Sequence, residues 1–263
     1  MGNLMLRFSL LAFMLLLGIA RAEAAAAPLK VGSMSGPYAE IMEFVAGLSA
    51  KQGLPIKVIE FTDYAIPNVA LADGDIDVSN FQTIPYLDAA IKARGYDIVA
   101  LQPSIITPLG LYSKKIKSLD DLKNGDMLAI ANDPANGGRG LLLLQKAGLI
   151  KLAPGVTTTA TVADITDNPR HLKFRELDAA QIPRSLDDVT AAAVNMNYAL
   201  PAGIDPKTAL VREGTDTLYA LVWTSLRKDK DDPRIQKLIG LYRSPETKAY
   251  ILDHFNGSII PAW

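Results

Sequence analysis

From residue 29 onward, short runs of β-branched and aliphatic residues alternate with stretches whose apolar positions recur every three or four residues. The pattern predicts a strand at 29–32, a turn at 33–38, and an amphipathic helix at 39–50 with Ile41, Phe44, Val45 and Leu48 on one side. A strand at 54–61 follows, then a short helix with Pro67 near its start and Asp73-Gly74 at its end. The next strand runs directly into a helix at 84–94, which Gly95 stops, and a further strand occupies 97–101. Strand and helix alternating at this spacing imply right-handed crossovers and a mostly parallel sheet flanked by helices.

The second half repeats the alternation after a break. Residues 105–113 are extended, apolar and interrupted by Pro108 and Gly110, which reads as a crossing into a second lobe. Ser118-Leu-Asp-Asp121 has the form of a capping box opening a helix. A strand at 127–131, a Gly-rich loop at 132–138 and a Leu-rich helix at 140–151 come next. Strand candidates at 158–165 and 172–177 flank a turn at 167–170, and Ser185-Leu-Asp-Asp188 reads as the cap of a short helix. A buried strand at 191–194 ends at Asn195-Met-Asn-Tyr198, and an apolar strand at 218–226 returns the chain to the first lobe. Asp232-Pro233 and Ser244-Pro245 place a capping side chain before a proline and open closing helices at 233–242 and 245–254. The expected fold class is therefore α/β with two lobes, 25–109 plus 222–263 forming one and 110–221 the other. A ligand would sit between them, with hinges in the two crossing segments.

Residues 1–24 are a different material. Arg7 precedes an apolar run at 8–20 that is too short to span a bilayer comfortably, and small residues at A-x-A spacing follow at 20–22 and 22–24. This is the pattern of a secretory signal peptide. The chain has no cysteine, and 263 residues suffice to bury a core without disulfides. With no thiol to carry a lipid, the expectation is an untethered protein of the periplasm, acting as a monomer.

Formal net charge is −1, with no basic stripe, so nucleic acid is a poor partner. Two histidines, no thiol nucleophile and no G-x-S-x-G, H-E-x-x-H or P-loop spacing leave catalysis badly supplied. No catalytic residue, metal site or cofactor is expected, and the chain is not expected to be an enzyme. A secreted enzyme on the same scaffold is the alternative of a different class.

The chemistry concentrates in three places. Asn80-Phe-Gln-Thr-Ile-Pro-Tyr86 lies where a strand enters a helix, the edge at which open α/β folds bind small molecules. Phe81 and Tyr86 offer flat apolar surface, and Asn80 and Gln82 both donate and accept; the plainer reading makes the rings core and the amides turn caps. Arg139 follows the glycines of 132–138, at what the pattern makes a helix start. A cation is misplaced for the dipole there, so Arg139 fits either a ligand carboxylate or a salt bridge to a nearby aspartate. Asn195 and Asn197 straddle Met196 and in extended geometry face the same way, which suits an ammonium group or merely a bridged turn. Tyr64 and Tyr38 end a strand and begin a helix at the same edge. One cation, several amides and three or four rings suit a zwitterion with an apolar side chain. A thioether fits well, because sulfur packs favourably on aromatic rings.

At this point the sequence resembles the methionine-binding lipoprotein (NlpA) family, substrate-binding components of ABC importers. The resemblance is carried by Glu60-Phe-Thr-Asp-Tyr64, Ala70-Leu-Ala-Asp-Gly74, Asn80-Phe-Gln, Ile84-Pro-Tyr-Leu87 and Pro108-Leu-Gly-Leu-Tyr-Ser113. Ile130-Ala-Asn-Asp-Pro134, Arg139 with its leucine run, Asn195-Met-Asn-Tyr-Ala199 and the ending from Phe255 to Trp263 extend it over nearly the whole mature chain. It implies two α/β lobes of the type II-like periplasmic solute-binding fold, closing on an amino acid, usually L-methionine, for delivery to an inner-membrane ABC permease. It implies an aromatic wall at Tyr64, Phe81 and Tyr86, a carboxylate clamp at Arg139, and polar contacts at Asn195 and Asn197. Two site positions depart from the family: Thr83 stands in place of a histidine, and Leu221 in place of an asparagine. These departures leave a different amino acid, a short peptide or an organic acid as alternative ligands.

Overall fold

Tertiary structure was read from a computed structural model, described for residues 27–215 and 217–263; the expected signal peptide lies outside the described residues. β1 (Leu29–Met34) leads through α1 (Pro37–Lys51) to β2 (Ile56–Phe61), and α2 (Ile66–Asp73) leads to β3 (Val78–Thr83). α3 (Ile84–Arg94) follows without a linker, then the long β4 (Ile98–Ile106) and the short β5 (Gly110–Tyr112). β6 (Met127–Ala131), α4 (Pro134–Lys146), β7 (Lys151–Leu152), β8 (Ile165–Asp167) and β9 (Lys173–Leu177) make up the middle of the chain. α5 (Ile182–Ser185), β10 (Ala191–Val194), α6 (Met196–Ala199) and β11 (Val211–Arg212) complete it before β12 (Ala220–Leu226). α7 (Pro233–Tyr242), α8 (Pro245–His254) and β13 (Ile260–Pro261) close the chain.

These strands form two large sheets, ordered β13-β4-β12-β3-β1-β2 and β11-β5-β10-β6-β9, and a separate antiparallel β7-β8 pair. The βαβ units are parallel, as their helical crossovers require: β1 with β2 and β3, and β6 with β9 and β10. Strands that return the chain are antiparallel, with β12 between β3 and β4, and β5 between β10 and β11. Both sheets are thus parallel on one side and antiparallel on the other.

Helices α1, α7 and α8 cover the first sheet with a core that includes Met34, Ile41, Val45, Trp223, Leu238 and Ile251. The Trp223 and Tyr242 rings meet edge-on at 5.1 Å within it. The second sheet is covered on one face by Leu141, Leu143 and Leu144 of α4, and on the other by Ile182, Leu186 and Val189. The chain passes between the sheets after Ile106, where Pro108 cannot donate to a ladder, and again between Arg212 and Ala220.

Three local expectations fail. The Gly-rich segment after β6 is not a loop. Pro134 sits in the first turn of α4, Asp133 accepts the Asn136 N–H as its cap, and glycines 137, 138 and 140 lie inside the helix. A Cβ on Gly138 would lie 2.4 Å from the Thr158 carbonyl oxygen, and one on Gly137 would lie 2.7 Å from that of Ala131. Glycine is required there by close backbone approach, a tertiary cause. The run 158–165 is not a strand either: Thr161 and Asp164 close a capping box around one 3-10 turn. Ser185 ends α5 rather than starting a helix, its hydroxyl donating to the Ile182 carbonyl at 2.8 Å.

Candidate functional site

The β3–α3 junction forms one wall of a cavity between the two sheets. Thr83 is the extended residue before α3 (φ −87°, ψ 163°), and Pro85 lies in the first turn, so strand turns into helix with no loop between. Phe81, Gln82 and Thr83 line the cavity from β3, and Leu221 lines it from β12. Thr83 and Leu221 are cross-strand partners, so the two departures from the family pattern sit side by side.

Three rings make an apolar corner. Tyr64 and Tyr86 meet edge-on at 5.8 Å, Phe81 and Tyr86 at 6.0 Å, and Tyr64 and Phe81 lie 6.3 Å apart. Their polar ends are fixed: the Tyr86 hydroxyl donates to the Tyr64 carbonyl at 2.9 Å, and the Tyr64 hydroxyl donates to Asn197 Oδ1 at 2.6 Å. Burial pushes the Tyr64 and Tyr86 hydroxyls well above the ordinary phenol value, so both stay neutral donors.

The opposite wall belongs to the second sheet and is polar. Asn136 and Arg139, one turn apart on α4, line the cavity with Asn195. Arg139 is 3 % exposed, and its fork grips Glu213: Nε donates to Oε1 at 2.8 Å and Nη2 to Oε2 at 2.5 Å. Nη2 also donates to the Thr107 carbonyl at 3.0 Å, and Tyr219 covers the guanidinium face at 4.4 Å. Glu213 accepts the Leu109 N–H at 2.8 Å, so the pair ties α4 to both crossing segments. Burial works to lower the Arg139 pKa, and the Glu213 bonds and charge overcome it, holding the group above its ordinary value. The bonds to Glu213 and Thr107 are made by Nε and Nη2, which leaves Nη1 outside them. Near it Tyr38 and Thr107 share a hydrogen bond of 2.8 Å between hydroxyls, and burial pushes Tyr38 up to about 12.

The structure thus brings together Tyr64, Phe81, Gln82, Thr83, Tyr86, Arg139 and Asn195, and places Asn80 and Asn197 outside the lining. Asn80 Oδ1 accepts from Ser104 Oγ at 3.0 Å beneath the sheet. The Gln82 amide is spent on a two-way pair with Asn68, at 2.9 and 2.8 Å, so its side chain braces the wall. Asn195 and Asn197 do not share an extended face. Asn195 is the extended residue before α6 and Asn197 lies in its first turn, which separates their directions. Arg139 sits in the second turn of α4, so the helix-start argument for its unusual charge does not hold, and its partner is a glutamate distant in sequence rather than a nearby aspartate. Thr107, Asn136 and Glu213 were missed. Asn136 follows its cap residue by three and was legible in principle; Glu213 lies in an ordinary polar stretch and gave no signal.

The sequence and the fold as a whole match a known family over nearly all the described residues. Residues 29–263 fit the description of the NlpA lipoprotein family. The chain belongs to that family. The D-methionine-binding lipoprotein MetQ of Salmonella typhi is 42% identical over 239 residues, 89% of this chain and 88% of that protein. A nutrient-binding protein from Burkholderia cenocepacia, solved bound to methionine, is 48% identical with TM-score 0.87, covering 89% of this chain and all of that one. A periplasmic substrate-binding protein of an ABC transporter from Coxiella burnetii is 45% identical with TM-score 0.86 over the same shares. The NlpA fold is therefore this chain's fold, and its relatives are substrate-binding components of ABC transporters.

Membership also corrects the expectation of an untethered periplasmic protein. Both the family description and the Salmonella relative's name are those of lipoproteins, which are lipid-bearing and membrane-anchored.

Proposed function

We propose that this chain captures an apolar amino acid, methionine foremost, between its two lobes (25–109 with 222–263, and 110–221) and hands it to an ABC permease. One observation carries the reading: a single cavity joins a buried guanidinium, a buried amide oxygen at Asn195 without a hydrogen-bond partner among the described residues, and a corner of three rings. The guanidinium nitrogen Nη1 takes the ligand carboxylate, Asn195 Oδ1 takes its ammonium, and the thioether lies against Tyr64, Phe81 and Tyr86. All of these come from one chain, which supports a monomer as the binding unit. The lining holds no histidine, serine, aspartate or glutamate, which supports capture rather than turnover.

A thermal-shift panel of both methionine enantiomers, other apolar amino acids, dipeptides and organic acids tests this. A ligand at about 100 times its Kd adds about 2.7 kcal/mol. For a chain of this size that corresponds to a rise in Tm of roughly 5–11 °C. Methionine or a near analogue gives the largest rise. A panel in which dipeptides or organic acids shift Tm and no amino acid does would overturn the reading.

A further inference from the structure

Two amides in the cavity wall have their direction set by a group that is not in the lining. Asp133 caps α4, and a carboxylate can only accept hydrogen bonds. It takes the Asn136 backbone N–H at 2.8 Å and the Asn136 Nδ2 at 3.1 and 3.0 Å through its two oxygens. An amide has one donating end and one accepting end, so Asn136 is left with Oδ1 turned the other way. That oxygen accepts from Asn195 Nδ2 at 2.8 Å. By the same logic Asn195 is left presenting Oδ1, which is buried and has no hydrogen-bond partner among the described residues. Asn195 lines the cavity and is 7 % exposed, so water does not satisfy this oxygen cheaply.

We infer that Asp133 and Asn136 are positioning residues that fix the polarity of the cleft. Through two amides in series they compel Asn195 to offer an acceptor, which admits ligands bearing an ammonium and penalises the same acid without one. The inference rests on the proposed amino-acid reading and adds the residues that enforce the free amine. Burial raises the Asp133 pKa against the bonds from Asn136, in keeping with a carboxylate held in place for a purpose other than stability.

The alternative is that Asp133 is only a helix cap, and Asp133→Asn separates the two roles. Asparagine caps as well as aspartate, so the helix start is kept. An amide nitrogen at the Oδ2 position, however, faces Asn136 Nδ2 at donor–donor distance. Turning the Asn136 amide relieves this, the Asn195 amide turns with it, and a donor then faces the cleft.

The experiment is calorimetric titration of the intact wild-type and variant proteins with L-methionine and with 4-(methylthio)butanoate, which keeps the carboxylate and thioether and lacks the ammonium. Wild type is expected to prefer methionine by about 10- to 100-fold, the range spanned by one hydrogen bond to a charged group. Asp133→Asn is expected to lower that ratio at least tenfold with Tm held within a few degrees. Asn136→Leu, which keeps the carboxylate cap and frees the Asn195 amide, is expected to lower the ratio as well, and it decides the matter should Asp133→Asn fail to fold. A ratio unchanged in the folded variants overturns the relay while leaving the proposed function standing. Wild type binding neither compound overturns both.

Discussion

Breaking the Arg139–Glu213 pair from one side is the most informative perturbation of the fold. Arg139 is 3 % exposed and the Glu213 side chain 13 %, so solvent screens the pair little. Removing one partner of such a pair leaves a buried charge without compensation and typically costs about 3–5 kcal/mol. Glu213→Gln does this with least disturbance, because an amide oxygen still accepts the Leu109 N–H while an amide nitrogen faces the guanidinium. For a chain whose total stability is on the order of 5–15 kcal/mol, that is a large fraction. It corresponds to a fall in Tm of roughly 6–20 °C.

The double variant Arg139→Met/Glu213→Gln is the control. With both charges gone, no buried ion is left uncompensated, and replacing a buried pair by neutral groups is often close to neutral. We expect it to recover to within about 1–2 kcal/mol of wild type, the remainder being the Thr107 carbonyl that loses Arg139. It should nonetheless bind no amino acid. Urea denaturation of the four proteins, followed by circular dichroism, gives the coupling energy directly. A Glu213→Gln penalty below about 1 kcal/mol, or a double variant as unstable as the two singles combined, would refute the view that each of these buried charges compensates the other.

Other outcomes follow from single contacts. Tyr64→Phe removes the only bond to Asn197 Oδ1 found among the described residues and strands a buried amide, costing about 1–3 kcal/mol by urea denaturation. Gly138→Ala forces a Cβ against the Thr158 carbonyl and Ala160 nitrogen, and should cost about 1–3 kcal/mol although alanine is the better helix former. Asp133 has a raised pKa when folded, so the folded state holds its proton to higher pH than the unfolded chain, and stability falls as pH rises from the ordinary carboxylate value of 3.8 through the raised one. Asp133→Asn should therefore match or exceed wild-type Tm at neutral pH, with any advantage shrinking as the buffer is taken below that window. Thr83→His and Leu221→Asn, made together on adjacent strands, should change the order of ligands in the thermal-shift panel, where an unchanged order would mean the pair does not touch ligand.

Local signals in the sequence were read well and long-range ones were not. Asp232 and Ser244 each accept from the helix they precede, as a capping side chain before proline demands, and α7 and α8 have the expected limits. β6 and α3 were equally plain because Gly125 precedes the one and Gly95 ends the other, and β10 because its short apolar run breaks off at Asn195, all without help from the rest of the fold. The glycines at 137 and 138 answer to Ala131 and Thr158 across a packed interface, which no local rule can register, and a helix was misread as a loop. The threonines at 157–159 and 161 look like strand, but Asp164 caps the backbone from three residues away. In the site, the rings were legible because a strand running into a proline-started helix announces an edge. Glu213 and Thr107 were hidden because their roles depend on two crossing segments meeting at one guanidinium.

The most direct test of the central claim is the anomalous scattering from crystals of the protein, grown with ordinary methionine throughout, in complex with L-selenomethionine. The account predicts one selenium peak per chain, among the Tyr64, Phe81 and Tyr86 rings, with the ligand carboxylate on Arg139 and its ammonium on Asn195 Oδ1. A bound selenium outside that ring corner, or a ligand turned with its carboxylate toward Asn195, would contradict it.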